Sequence, residues 1–331
     1  MPANCGKADD KMVSLPSQLQ QAIALSNAGR NAEAAANVTR LAMTGDPPAL
    51  FMLAQMQWGG GIVAQDPVAA RLNFERAAAA GFPPARIIAT NLLASGIAGR
   101  RDWAAACARL AAEAAIDPRR AVQANLLGKM ALTPAGDPVS VGPAERFSDS
   151  PDVRRISALL TSAECAYLVD VASRSFAPAQ VRNPAGGQMR DPIRNSDEAT
   201  LHWMIEDPVV HAINRRIALA SATTADAGEA MQILRYKPGQ QYRPHFDYNP
   251  TLTNQRVLTA LVYLNHDYKG GETRFVKSGL KVKGRKGDLL LFRNTLDDGG
   301  VDPMSEHAGM PVVSGVKYLA SRWIRADRFC P

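Results

Sequence analysis

The chain has 331 residues, of which 46% are hydrophobic and 21% charged, with a formal net charge of +7. These proportions exclude a disordered chain, a collagen-like chain and a disulfide scaffold, and the length allows about two domains with large cores. Lys and Arg number 38 against 31 Asp and Glu, an excess that favours acidic partners but is too dilute to mark a nucleic-acid surface.

The first stretch, 1–15, reads as a tail without the apolar run of a leader peptide. The cysteines, Cys5, Cys107, Cys165 and Cys330, form no Cys-x-x-Cys pair and read as reduced thiols of a cytoplasmic protein. The most apolar stretch, 85–98, contains Arg86, Thr90, Asn91 and Ser95 and falls short of a membrane span.

Residues 16–132 are alanine-rich and poor in β-branched runs, which predicts helices. They also repeat. Gly45, Gly81 and Asp117 are separated by steps of 36, as are Ala49, Ala85 and Ala121, and as are Asp66 and Asp102. A fixed period of this size marks a helical repeat array in which neighbours must stack to bury their apolar faces. The stretch Gly59-Gly60-Gly61-Ile62-Val63-Ala64-Gln65-Asp66, followed by Ala69-Ala70 and Ala77-Ala78-Ala79-Ala80-Gly81, resembles SEL-like repeats of the TPR-related family. That resemblance implies an α-solenoid that binds a protein or peptide. The plainer alternative is that the helices only brace the second half.

Residues 133–150 carry Pro134, Gly136, Pro138, Gly142 and Pro143 and read as a linker. Beyond it, Arg155–Leu160 reads as a strand and Ser162 as the N-cap of a helix over 163–173. A second helix is expected over Pro208–Ala220. From Met231 the chain breaks into short runs between Pro and Gly: 231–236, 257–264, 273–276, 280–282, 288–292 and 315–324. Many short strands with turn signals between them predict a sandwich or barrel, so the whole is expected to be α+β. The basic run 281–286 reads as a solvated hairpin, with few aromatics nearby to stack on nucleic acid.

The chemistry starts at His245-Phe246-Asp247. In an extended segment, residues i and i+2 share a face, so this imidazole and carboxylate converge. Two histidines and one carboxylate with open positions form the facial triad of non-haem Fe(II) oxygenases. His307 is available as the third ligand, after the loop 297–306. Ten residues further is Lys317, in a strand where alternation puts Lys317, Leu319, Ser321 and Trp323 on one face. A lysine buried there is costly unless an anion pairs with it. Arg322 has the wrong parity for that role, and Arg325 lies further along. His202, His211 and His266 read as ordinary core or surface residues.

The segments Tyr236–Asp247, Arg256–Asn265, Gly270–Phe275, Lys286–Phe292, His307–Val312 and Gly315–Lys317 together resemble the prolyl 4-hydroxylase family of Fe(II)/2-oxoglutarate dioxygenases, over residues 151–331. The resemblance implies a double-stranded β-helix (jelly roll) with flanking helices. It implies His245, Asp247 and His307 as iron ligands, and Lys317 as the partner of the distal carboxylate of 2-oxoglutarate. Tyr236 and Thr273 match positions that hydrogen-bond that carboxylate, and Trp323 matches an aromatic near the metal pocket. Fe(II), 2-oxoglutarate as cosubstrate and O₂ are implied, with ascorbate as a supporting reductant. Asp247 fills the position that halogenating relatives leave open, which favours hydroxylation. Two departures stand out: Tyr318 follows Lys317 where the family often has Trp, and 182–200 follows the family's Arg-x-Ser segment only loosely. The expected reaction is hydroxylation of a prolyl residue in a protein or peptide, with succinate and CO₂ as coproducts. A free amino acid or small molecule is an alternative substrate, and an inactive repeat-based scaffold is the alternative class.

Overall fold

The computed structural model describes residues 17–182, 188–190 and 193–329. The tail assigned to 1–15, two of the four cysteines, and parts of the 182–200 segment lie outside these residues. Compactness divides the chain at Ala89/Thr90, within one helix, and the two units have separate cores.

The first unit holds α1 (Ser17–Asn27), α2 (Asn31–Met43), α3 (Pro47–Gly59), α4 (Pro67–Ala79) and the start of α5 (Pro83–Ser95). Its core is Leu19, Val38 and Leu50 packed among the alanines Ala22, Ala42, Ala49, Ala77 and Ala85. Methyl-sized side chains at these contacts let the helix axes approach closely. Phe51 closes the packing edge-on against Phe74 and Phe82, with ring centroids 5.5 and 5.3 Å away.

The aspartates in the repeat are helix caps. Asp46 and Asp66 accept the backbone N–H groups of Ala49 and Ala69 at 2.9 Å, and Pro47 and Pro67 follow them in the first turn. Each such cap contributes about 1 kcal/mol. One period after Asp66, in the second unit, Asp102 accepts from Ala105 at 2.9 Å. The N–H of Asp66 bonds the carbonyl of Gln57, and that of Asp102 bonds the carbonyl of Leu93, so the same bond recurs at the same 36-residue step. These helices fit a repeat region.

The second unit contains the rest of α5, then α6 (Trp103–Ala114), α7 (Pro118–Leu127), α8 (Ser162–Ser173) and α9 (Pro208–Ala220). Its strands are β1 (Ala144–Asp149), β2 (Asp152–Ile156), β3 (Ala177–Pro178), β4 (Gln180–Arg182), β5 (Gln188–Arg190), β6 (Asp197–Leu201), β7 (Met231–Tyr236), β8 (Tyr242–His245), β9 (Arg256–Tyr263), β10 (Lys269–Gly270), β11 (Thr273–Phe275), β12 (Lys281–Val282), β13 (Leu289–Arg293), β14 (His307–Gly309), β15 (Val312–Ser314) and β16 (Lys317–Arg325). An antiparallel major sheet runs β1-β2-β13-β9-β16-β7-β6-β3, and a minor sheet runs β12-β11-β14-β8. The fold is α+β, a helical stretch followed by a double-stranded β-helix.

Side-chain alternation makes the two faces of the major sheet different. Ala260, Val262, Leu289, Leu291, Ala320 and Ile324 face α8 and α9, burying Leu168, Val210 and Ile213. Their sequence neighbours Leu261, Tyr263, Leu290, Phe292 and Leu319 face Phe275 and Val282 of the minor sheet. The site lies between the sheets.

Several boundaries differ from the sequence expectation. The strand expected over Arg155–Leu160 is β2, which ends at Ile156, and Leu159 and Leu160 turn inward to the helix-side core. The N-cap of α8 is Thr161 rather than Ser162: its hydroxyl accepts from the Glu164 N–H while the Glu164 carboxylate accepts from the Thr161 N–H. The stretch read as a linker contains β1, paired with β2 through residues such as Ala144↔Ile156. Compactness also groups α6 and α7 with the sheets. Leu126, Leu127 and Met130 pack against the helix-side core, and Ala212 of α9 joins Trp103 and Ala106. The two described cysteines, Cys107 and Cys165, are free thiols. No helix of the described residues is long and apolar enough to cross a membrane.

Candidate metal centre and its anion pocket

His245 ends β8, and His307 begins β14 directly opposite it in the register of the minor sheet. Asp247 follows two residues after His245, on the same side. The ligand atoms of His245, Asp247 and His307 all lie within 4.8 Å of one another, and all three side chains are buried. Nε2 of His245 is 3.6 Å from Asp247 Oδ1, and Nε2 of His307 is 3.6 Å from Oδ2.

Backbone carbonyls set the tautomers. Nδ1–H of His245 donates to the carbonyl of Arg243 at 2.8 Å, and Nδ1–H of His307 donates to that of Ser305 at 3.0 Å. In its neutral form each imidazole then turns an Nε2 lone pair toward the carboxylate, as a metal-ligating histidine requires. Burial, reinforced by His307 and opposed by Asp247, pushes His245 down to about 4. Burial works against ionisation of Asp247, but the two imidazoles and the Thr259 hydroxyl outweigh it and hold the carboxyl below its ordinary range. Neutral imidazole beside an ionised carboxylate is the donor set that suits Fe(II), and the residues fit that ion.

Lys317 opens β16 and pairs with Tyr236 of β7 in the sheet register. Its ammonium donates to the carbonyl of Gly271 at 2.8 Å and lies 5.4 and 5.8 Å from the ring centroids of Tyr236 and Tyr263. Among the described residues no carboxylate comes within ion-pair distance of it. Burial pushes its pKa down to about 8, with Glu272 opposing and Lys283 reinforcing. Gly271 has φ +70, and a Cβ there would stand 3.2 Å from the Lys317 Cδ, so glycine allows both the turn and the lysine's approach.

One pocket is lined by His245, Asp247, His307, Lys317, Tyr236, Thr273 and Trp323, the residues singled out from sequence, together with Leu319 and Ser321 on the expected face of β16. Thr273 is buried, with its hydroxyl 3.4 Å from that of Tyr263. Trp323 lies beneath Arg256, whose guanidinium is 3.8 Å from the ring centroid, and its Nε1–H has no hydrogen-bond partner among the described residues. The rival arginines are outside the pocket. Arg322 donates to the carbonyls of Glu229, Asn214 and Ala225, and Arg325 pairs with Glu229. His211 pairs with Glu206, away from the cluster.

Sequence reasoning missed two wall residues and one supporting hydroxyl. Tyr242 stacks on His245 with ring centroids 3.4 Å apart, and Arg194, held by Glu198 at 2.5 Å, lies over the Tyr242 ring. The only signal for Arg194 was its place two residues before Ser196, in the segment that matched loosely. Thr259 donates to Asp247 Oδ2 at 2.6 Å, and nothing in its local sequence distinguishes it from a strand residue.

Known proteins share this constellation's chain segment. A family model described as the 2OG-Fe(II) oxygenase superfamily matches residues 231–325. Prolyl 4-hydroxylase 1 of Arabidopsis thaliana is 36% identical over 201 residues, covering 55% of this chain and 71% of the relative. Probable prolyl 4-hydroxylase 4 of the same plant is 32% identical over 217 residues, covering 58% and 73%. A crystal structure of a viral collagen prolyl hydroxylase from Paramecium Bursaria Chlorella virus-1, in complex with 2OG, is 28% identical, covers 55% of this chain and 99% of its own, and has a TM-score of 0.45.

Proposed function

Because the chain belongs to the prolyl 4-hydroxylase family of 2-oxoglutarate- and Fe(II)-dependent dioxygenases, we propose that it hydroxylates a prolyl residue of a protein or peptide, releasing succinate and CO₂. The observation that carries this reading is a buried lysine, with no anionic partner among the described residues, in the same pocket as the two-histidine, one-aspartate cluster. His245 and His307 present their Nε2 atoms to the site, and Asp247 presents the anionic donor. Fe(II) bound there supplies the O₂ chemistry that amino-acid side chains lack. Three protein ligands on one face leave positions for a chelating cosubstrate and O₂. Lys317 holds the distal carboxylate of 2-oxoglutarate by charge, with Tyr236 and Thr273 beside it. Leu234, Leu261 and Leu319 line the pocket and keep water from weakening that pairing. Trp323 forms the wall toward the substrate.

The N-terminal helices belong to SEL-like repeats in this reading, and they bring the protein substrate to the dioxygenase unit.

The test is anaerobic titration of the protein with Fe(II) and 2-oxoglutarate, following the visible charge-transfer band of the chelate. The band should appear in wild type, disappear in Asp247→Ala and require much more 2-oxoglutarate in Lys317→Ala. Its absence from folded wild-type protein would point to an inactive scaffold. A band with oxygen gained by a free amino acid but by no peptide would move the substrate assignment to small molecules.

A further inference from the structure

Behind the candidate metal centre runs a hydrogen-bonded chain that the reaction itself does not use. The Thr259 hydroxyl donates its single proton to Asp247 Oδ2 at 2.6 Å. Its lone pair receives Nδ2–H of Asn294 at 2.9 Å. All three side chains are buried, and Asn294 is wholly enclosed. The direction of the chain is forced. A hydroxyl that gives its only proton to a carboxylate can meet only a donor on its other side, so the Asn294 amide turns its NH₂ toward Thr259. Its Oδ1 is then left buried with no hydrogen-bond partner among the described residues.

That orphaned oxygen is informative. A buried amide with an unpaired carbonyl destabilises the fold relative to an apolar side chain of the same size. Packing alone would be served better by leucine. The Asn294 backbone is pinned at the end of β13, its N–H bonded to the Val257 carbonyl at 2.9 Å and its carbonyl to the Asp302 N–H at 2.9 Å. A fixed backbone makes the amide a fixed donor.

We propose that Asn294 is a positioning residue for the metal-binding carboxylate: by holding the Thr259 hydroxyl, it sets the orientation of Asp247 between the two imidazoles. This inference rests on the reading of His245, Asp247 and His307 as a metal site. Partners of this kind, one bond removed from a ligand, are worth about 10–100-fold in metal affinity.

The experiment measures Mn(II) binding to the full chain by the EPR signal of the free ion, alongside the melting temperature of the metal-free protein. Mn(II) takes the same oxygen and nitrogen donors and is stable in air. Asn294→Leu should melt at or above wild type yet bind Mn(II) about 10–100-fold more weakly. Thr259→Val should weaken binding to at least the same extent, and Thr259→Ser, which restores the hydroxyl, should recover most of that loss. The double variant should bind no more weakly than Thr259→Val alone, because Asn294 acts through Thr259. Should the Leu side chain not be accommodated, Asn294→Ala reads the same two quantities. Unchanged affinity in folded Asn294→Leu or Asn294→Ala, or effects that multiply in the double variant, overturns the relay and leaves the metal site standing. Wild-type protein that takes up no Mn(II) overturns the metal-site reading and this inference with it.

Discussion

An ammonium group buried among Tyr236, Tyr263 and the Gly271 carbonyl carries a desolvation cost that its surroundings only partly offset, and that cost gives Lys317 a pH signature. Its folded-state value is about 8, below the ordinary 10.5. Between those two values the unfolded chain binds more protons than the folded one, so this group makes the cosubstrate-free protein more stable as pH rises through the window. A bound dicarboxylate reverses the balance by stabilising the ammonium. Affinity for 2-oxoglutarate should therefore be steady below pH 8 and weaken above it, approaching tenfold per pH unit. Calorimetric titration of the metal-loaded protein from pH 7 to 9.5 checks this. In Lys317→Met the pH dependence should vanish and affinity be weak throughout, while the cosubstrate-free protein at pH 7 should be no less stable. A pH-independent affinity in wild type would remove Lys317 from the anion site.

At the scale of elements, a buried polar network ties α6 and α7 to α8 and α9. Asp207 caps α9 by accepting the N–H groups of Val209 and Val210, and it also accepts the Tyr167 hydroxyl at 2.5 Å and the Gln123 amide at 3.2 Å. Gln123 in turn accepts from Arg120, which pairs with Glu113. Four segments, α6, α7, α8 and α9, thus share one network around a buried carboxylate. Burial raises the Asp207 carboxyl above its ordinary range, the hydrogen bonds opposing that shift, so each donor removed is felt. Tyr167→Phe should cost about 1.5–3 kcal/mol in urea unfolding with little change in the slope of the transition. A loss within about 0.5 kcal/mol would mean that the network orients the helices without stabilising them.

At the scale of the molecule, the division at Ala89/Thr90 puts α6 and α7 in the same unit as the sheets. Trp103, Ala106, Leu126 and Leu127 supply part of that unit's apolar packing, and a chain beginning after the expected repeat boundary at residue 132 lacks all four. A fragment beginning at Pro83, which keeps α5 whole, should unfold in a single cooperative step. One beginning at Thr133 should aggregate or bind a hydrophobic dye, since it exposes the helix-side core around Leu168 and Ile213. Cooperative unfolding of the shorter fragment would restore the boundary expected from composition.

Local signals in the sequence were sufficient for much of this protein. Asp66 and Asp102 cap helices wherever an aspartate precedes a helix-forming run, so their spacing was readable before any packing was known. Period-two alternation in 317–323 put Lys317, Leu319, Ser321 and Trp323 on one face, because a strand has no other way to arrange them. His245 and Asp247 converge for the same reason. Contacts between distant segments needed the tertiary structure. Which histidine completes the cluster depends on β14 lying opposite β8; the sequence offered His307 as available, and the family resemblance implied it as a ligand. The place of α6 and α7 depends on which surfaces bury together, and an alanine-rich helix looks alike in either unit. Asn294 and Thr259 are 35 residues apart, and only the pairing of β13 with β9 brings the amide to the hydroxyl and the hydroxyl to Asp247. Periodicity and capping act within a few residues, so they are written in the chain; a hydrogen-bond relay exists only once the sheets have closed around it.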